Sequence, residues 1–183
     1  VKGAPVRRGA PPLVAFSGPS GAGKTTILVA LLRELSGRGL RVAAIKHSGH
    51  PHGFDVPGKD SDLLLRAGAL GVAVQGPTQL AVFGPPRRGG ARALARLLPP
   101  VDLVLVEGWK EERLPRVEVH RRAVNREFAC ARSRRFIAVV TDEPPPRAIP
   151  TFAAGDVGGL ADFLQERFGL LARGKRRRRP PST

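Results

Sequence analysis

The stretch Phe16-Ser17-Gly18-Pro19-Ser20-Gly21-Ala22-Gly23-Lys24-Thr25-Thr26 constrains this chain more than any other. Gly18 to Thr25 satisfies the pattern G-x-x-x-x-G-K-[ST] at every fixed position. Leu13-Val14-Ala15-Phe16 before it is an apolar run with the character of a buried strand. Lys24 to Ser36 after it carries Ile27, Leu28, Leu31, Leu32 and Leu35 at helical spacing. Strand, glycine-rich turn and helix in this order make a phosphate-binding loop. A chain that wraps an anion needs torsions closed to residues with a Cβ, and it needs its N–H groups close to the phosphate. The helix that follows adds the positive end of its dipole. Gly18, Pro19, Ser20, Gly21, Ala22, Gly23, Lys24, Thr25 and Thr26 are therefore the expected nucleotide contacts. Lys24 is expected to reach the β- and γ-phosphates, and the Thr25 hydroxyl to sit on Mg²⁺.

The remaining pattern predicts an α/β fold, a mostly parallel central sheet flanked by helices. Arg41 to Lys46 reads as the second strand. Asp102 to Glu107 is the most apolar strand and is expected to be central, and Phe136 to Val140 is another buried one. Arg116-Val117-Glu118-Val119-His120 alternates as a half-exposed strand does. Gly71 to Gln75 and Gln79 to Phe83, joined by Gly-Pro-Thr, predict a small antiparallel hairpin. Asp60 or Ser61 is expected to cap a helix running to about Ala69, and Asp156 to cap the final helix. Arg121 to Arg134 is polar and ambiguous. The expected organisation is a flexible lead over 1–12, one nucleotide-binding domain over 13–172, and a disordered basic tail over 173–183.

Composition narrows the function classes. Formal net charge is +16, from 31 basic and 15 acidic residues, which suits an anionic ligand or partner without naming one. Cys130 is the only cysteine, so no intramolecular disulfide forms, in keeping with a reducing compartment. No apolar run is long enough to span a bilayer, and the first twelve residues hold no apolar segment of a secretory signal. A cytoplasmic protein without membrane contact is expected. The run Lys175 to Arg179 lacks interleaved aromatics for base stacking, so nucleic acid is not the expected partner.

Further site candidates lie where strands end. Glu107 closes the apolar strand, the place where a phosphate-loop protein holds Mg²⁺ with a carboxylate. The loop from His47 to Lys59 follows the second strand and is expected to open on the same sheet edge. Its His47 and Lys59, with Lys46, suit phosphate groups, and Asp55 and Asp60 suit orientation of an attacking water. His47, His50 and His52 make a transition-metal site conceivable, though without cysteine or fixed ligand geometry. Asp142, after Thr141, can accept hydrogen bonds from N1–H and the exocyclic amine of guanine, or simply cap a turn.

Taken together, the phosphate loop, Ile45-Lys46-His47, Asp55-Val-Pro-Gly-Lys-Asp-Ser61, Leu65-Arg-Ala-Gly-Ala69, Val104-Leu-Val-Glu-Gly-Trp-Lys110, Ile137-Ala-Val-Val-Thr-Asp142 and Asp156-Val-Gly-Gly-Leu-Ala-Asp-Phe163 resemble the MobB family of molybdopterin-guanine dinucleotide biosynthesis accessory proteins. The resemblance runs from about Leu13 to Phe168. It implies a GTP-binding homodimer with weak GTPase activity. The implied partners are the guanylyltransferase that joins GMP to the molybdenum–pterin cofactor, and the molybdopterin cofactor itself. By position it implies phosphate binding by Gly18 to Thr26, Mg²⁺ at Thr25 and Glu107, the base near Asp142, and a facing loop lined by His47, Asp55, Lys59, Asp60 and Ser61. Where the family loop is often richer in adjacent histidines, this chain has Ser48-Gly49. Two readings from other classes compete: a phosphate-loop kinase of a small metabolite, with Arg121 to Arg135 as its arginine-bearing lid, and a nucleic-acid-binding module driven by the basic tail.

Overall fold

Thirteen elements follow one another along the chain in the computed structural model, which describes residues 9–48, 53–86, 88–109 and 111–171. Residues 1–8 of the lead expected over 1–12, His50, His52 and the basic tail lie outside the described residues. The described chain divides into two compact units, residues 1–47 with 90–183, and residues 48–89.

The larger unit is built on a six-stranded sheet of order β2-β5-β1-β6-β7-β8. Its strands are β1 (Leu13–Ser17), β2 (Val42–Lys46), β5 (Leu103–Glu107), β6 (Arg116–Val119), β7 (Phe136–Val140) and β8 (Thr151–Phe152). Every pairing among them is parallel. The two central strands are thus β1 and β6, with β5 one place nearer the edge. Helix α1 (Lys24–Gly37) packs Ile27, Leu28, Leu31 and Leu35 onto Val14, Phe16, Val117, Val119, Ala138 and Val140. Helix α4 (Val157–Phe168) joins the same layer through Leu160, Ala161 and Leu164. Arg38 fastens the two helices together by donating to Glu34 and Asp162 and to the Gly158 carbonyl. As expected, Asp156 caps α4, its Oδ1 accepting from Gly159 N at 3.0 Å. The opposite face of the sheet packs Leu13, Ala15, Val104 and Val106 under α3 (Gly90–Ala95).

Strand β6 departs from its sequence reading. It is buried along its whole length instead of being half exposed. Its polar side chains face inward because each has partners there. Arg116 donates to Ser17 Oγ at 2.9 Å and to the carbonyls of Trp109 and Glu112. The two Glu118 oxygens accept from Ala129 N and Cys130 N at 2.6 and 2.7 Å. Those bonds explain the ambiguous stretch after β6. It is a series of turns with one 3₁₀ turn, Ala129–Ala131, laid over the sheet and held there by Glu118. Arg147 holds it from the other side, donating to the Cys130 carbonyl at 2.8 Å.

The smaller unit contains α2 (Asp60–Arg66), β3 (Val72–Gln75) and β4 (Leu80–Phe83). The hairpin is antiparallel as the sequence predicts, with Val72 opposite Phe83 and Gln75 opposite Leu80. Helix α2 is shorter than expected and begins at Asp60 behind Lys59, without a side-chain cap. The Asp62 carboxylate instead accepts from Gly58 N at 2.8 Å and from Arg66 Nε at 2.9 Å.

Candidate functional site

Register places the first pair of site residues. Glu107 lies opposite both Phe16 and Lys46, so the last residue of β5 sits beside the point where β1 opens into the phosphate loop. The loop has the backbone its glycines allow. Gly21 and Gly23 take φ of 79° and 89°, and Gly23 leads directly into α1. Gly18 answers a different demand. A Cβ there would stand 2.4 Å from the Val119 carbonyl oxygen, so only glycine lets the loop pass the end of β6. The Lys24 ammonium donates to the Pro19 carbonyl at 2.7 Å, on the inside of the loop.

The Thr25 hydroxyl is 3.1 Å from each Glu107 oxygen. A hydroxyl and one carboxylate are hard oxygen donors, and Mg²⁺ is held by few protein ligands because phosphates and water fill the rest of its shell. The donor set fits Mg²⁺. Of the transition-metal candidates His47, His50 and His52, the last two lie outside the described residues; among the described residues no group of three or more His, Cys, Asp and Glu is placed to hold a metal ion.

Glu107 is fixed from behind by a turn. Gly108 takes φ 90°, and a Cβ on it would meet the His47 carbonyl oxygen at 2.8 Å. Trp109 follows at φ 53°, the one non-glycine residue with positive φ among those described. Its ring stacks on His47 with centroids 4.5 Å apart and planes 18° apart. His47 N donates to the Glu107 carbonyl at 2.9 Å, which ties β2's exit to β5's exit. Arg116 completes the arrangement by spanning Ser17 and Trp109. Sequence reasoning placed His47 at this edge but missed Trp109 and Arg116 as positioning residues. The pattern Glu-Gly-Trp was visible, but its link to Arg116 was not.

On the α1 side, a cavity of about 250 Å³ opens between the start of α1 and the ends of β6 and β7. Gly23, Thr26, His120, Thr141, Asp142 and Ala154 are among its walls. The sequence candidates Thr26 and Asp142 therefore meet across one space beside the phosphate loop. Asp142 Oδ1 accepts from Arg122 N at 2.9 Å. That bond, with the nearby Arg121 charge, holds its carboxyl below the usual range, so it stays an acceptor in mildly acidic solution. His120 is buried, with Nε2 2.7 Å from Glu143 Oε1 and its ring 3.6 Å from that of Phe128.

Asp55, Lys59, Asp60 and Ser61 all fall in the smaller unit. There Asp55 Oδ1 accepts from Val56 N at 2.8 Å and from Ser61 Oγ at 2.9 Å, which makes a local turn. Lys59 and Asp60 are exposed. The stretch from Arg121 to Arg135, considered above as a kinase lid, is fastened to the sheet by Glu118 and Arg147. A lid needs freedom to close that such anchoring removes.

Strand, glycine-rich loop, helix, strand-end carboxylate and parallel sheet order together define an α/β protein of the phosphate-loop fold. The particular family follows from comparison. Residues 13–142 match the family model of MobB, molybdopterin guanine dinucleotide synthesis protein B. The molybdopterin-guanine dinucleotide biosynthesis adapter protein of Escherichia coli is 37% identical over 161 residues, 85% of this chain and 92% of that one. Its counterpart in Haemophilus influenzae is 33% identical over 157 residues, 84% of this chain and 88% of that one. Among solved structures, the MobB protein homolog from Bacillus stearothermophilus superposes with a TM-score of 0.64 at 26% identity, over 87% of this chain and 99% of that one. Bacillus subtilis MobB gives 0.66 at 25%, over 90% and 99%. The chain belongs to the MobB family, the adapter proteins of molybdopterin-guanine dinucleotide biosynthesis.

Proposed function

We propose that the chain binds GTP with Mg²⁺ in the phosphate loop and assists, as a homodimer in the cytoplasm, the guanylyltransferase that joins GMP to molybdopterin. The observation that carries this reading is the contact of Thr25 with both Glu107 oxygens at the mouth of a complete phosphate loop. Lys24 and the loop N–H groups bind the phosphates, and Thr25 and Glu107 hold the Mg²⁺. The bound ion offsets phosphate charge. The base enters the cavity that ends at Asp142, whose carboxylate accepts from the donor edge of guanine; adenine lacks that pair of donors.

The homodimer is supported by the smaller unit. Phe54, Leu63, Leu64, Leu70, Leu80 and Val82 are each more than half exposed, and none of its large hydrophobic side chains is fully buried. A two-stranded hairpin is marginal alone and gains stability by covering such a face. A lone cysteine, and the lack of any described helix able to cross a membrane, fit the cytoplasmic location.

Hydrolysis is slow in this reading. Lys24 is the one cation within the phosphate loop, and Arg116, which donates to Ser17 Oγ just before it, is held as well by the Trp109 and Glu112 carbonyls. Asp55 and Asp60 are the candidates to orient water. Single-turnover hydrolysis of GTP, with and without the guanylyltransferase, tests the reading. Below about one turnover per second is expected for the free chain, with a rise on adding the partner that Asp55→Asn or Asp60→Asn diminishes. Failure of the two proteins to associate, or a partner indifferent to GTP, would overturn it.

A further inference from the structure

Because every pairing in the six-stranded sheet is parallel, its two ends are different surfaces. The phosphate loop, Glu107 and Asp142 follow strands and lie where strands finish. Arg113-Leu114-Pro115 leads into β6, and Arg132-Ser133-Arg134-Arg135 leads into β7, at the end where strands start. Two concavities meet there. The first, of about 260 Å³, is lined by Arg113, Arg134 and Arg135, with Leu114, Pro115 and Ile137 as its apolar part. The second, of about 520 Å³, shares Arg134 and adds Arg132 and Arg147.

No acid lines either concavity. Two of the five arginines are engaged within the chain. Arg132 is paired with Glu127 at 2.5 Å, and Arg147 donates to the Cys130 and Phe136 carbonyls. Arg113, Arg134 and Arg135 are exposed, and no ion pair engages them among the described residues. The acids of neighbouring segments do not balance them. Glu112 Oε1 accepts from Ala91 N, both Glu118 oxygens accept from Ala129 and Cys130 N, and Glu111 is exposed and lines neither concavity. Single solvated arginines are ordinary on a surface. Here three unpaired guanidinium groups surround one apolar hollow. A guanidinium fork matches a carboxylate, and the hollow matches an aliphatic side chain. Neither concavity has an aromatic ring on which a nucleic-acid base could stack. A second copy of this chain carries the same +16 charge and is repelled.

We infer that the strand-start end of the sheet docks an acidic segment of a partner protein, with carboxylates on Arg113, Arg134 and Arg135 and an aliphatic side chain on Leu114, Pro115 and Ile137. Docking at this end leaves the phosphate loop open to nucleotide. The use of the guanylyltransferase as the partner below rests on the function proposed above; the basic face itself rests on the geometry alone.

Association of the full chain with the guanylyltransferase, measured by surface plasmon resonance at low and high ionic strength, tests the inference. Arg113→Glu with Arg134→Glu should weaken association about tenfold or more at low salt, mainly through a slower on-rate. The difference from the wild type should shrink at high salt, where exposed charges are screened. Arg113→Lys with Arg134→Lys keeps the charge without the fork and should retain part of the affinity. GTP should bind the charge-reversed chain as it binds the wild type, and the melting temperature should be unchanged, which separates a lost surface from a damaged fold. The basic tail is present in both chains, so the comparison reports the face and not the tail. A wild type that associates while the charge-reversed chain associates equally well would overturn the inference and leave the proposed function standing. So would a charge-reversed chain that keeps the transferase but loses duplex DNA, since the face would then serve nucleic acid. A wild type that does not associate at all would overturn both.

Discussion

Thr25 and Glu107 are 82 residues apart in sequence, yet the Thr25 hydroxyl lies 3.1 Å from both oxygens of the Glu107 carboxylate. The parallel pairing of β1 with β5 creates this relationship, since Phe16 lies opposite Glu107 and the loop to Thr25 starts two residues later, at Gly18. The expected consequence is metal dependence. Glu107→Gln keeps the shape and removes the charge, so GTP affinity measured with Mg²⁺ should fall about tenfold or more. Affinity measured in chelator should change little. Equal losses in both conditions would mean that Glu107 acts on the fold and not on the ion.

Gly18 gives a test of the loop's packing. A Cβ at this position would stand 2.4 Å from the Val119 carbonyl oxygen, a backbone atom that cannot move away without shifting β6. Gly18→Ala should lower stability by about 1–3 kcal/mol, the range of overpacking at a tight site. Nucleotide binding should weaken with it. Urea denaturation checks the first part; an unchanged midpoint would show that the loop and β6 separate freely.

Cys130 provides a pH signature. Burial, with its hydrogen bond to Glu118, pushes the thiol from 9.0 up to about 11. A folded chain therefore keeps the proton after the unfolded chain has lost it. From about pH 9 to about 11 the unfolded state binds fewer protons, so stability should fall as pH rises through that window. Thiol labelling at pH 8 should be slow in the native chain and fast in urea. Rapid labelling of the native chain would contradict the burial of Cys130.

The sequence was most informative where function needs fixed spacing. The phosphate loop, Glu107 at a strand end, the hairpin and the Asp156 cap were all legible, because each is a local pattern with a local cause. Strand β6 was not. Arg116 and Glu118 alternate with Val117 and Val119, and alternation of that kind normally marks a face turned to water. Their partners, Ser17, Trp109, Glu112, Ala129 and Cys130, come from other segments, and nothing in a linear reading links them. The same blindness hid the basic face where β6 and β7 start, since the arginines of residues 121–135 read as a solvated or lid-like stretch. Separation of residues 48–89 as a unit was likewise invisible, since its helix and hairpin carry ordinary local signals.

That unit supplies the test of assembly. Leu80 and Val82 lie on one face of β4 and are 66% and 69% exposed. If this face pairs with a second copy, light scattering should give twice the chain mass of 19.5 kDa. Leu80→Lys with Val82→Lys should return it to the monomer mass without changing the helical content of the larger unit. A wild-type chain that is monomeric at high concentration would remove the dimer from the account.

The central claim is that the cavity running from the phosphate loop to Asp142 selects guanine. Competition titration of GTP against ATP in Mg²⁺, on the wild type and on Asp142→Ala, tests it most directly. Asp142 keeps its charge down to mildly acidic pH because Arg122 N donates to it, so pH 6 and pH 8 should give the same preference. Hydrogen bonds to a charged acceptor are worth about 1.5–3 kcal/mol each, so the substitution should narrow the preference for GTP at least tenfold. Equal affinity of the wild type for GTP and ATP, or a preference that survives Asp142→Ala intact, would contradict the claim.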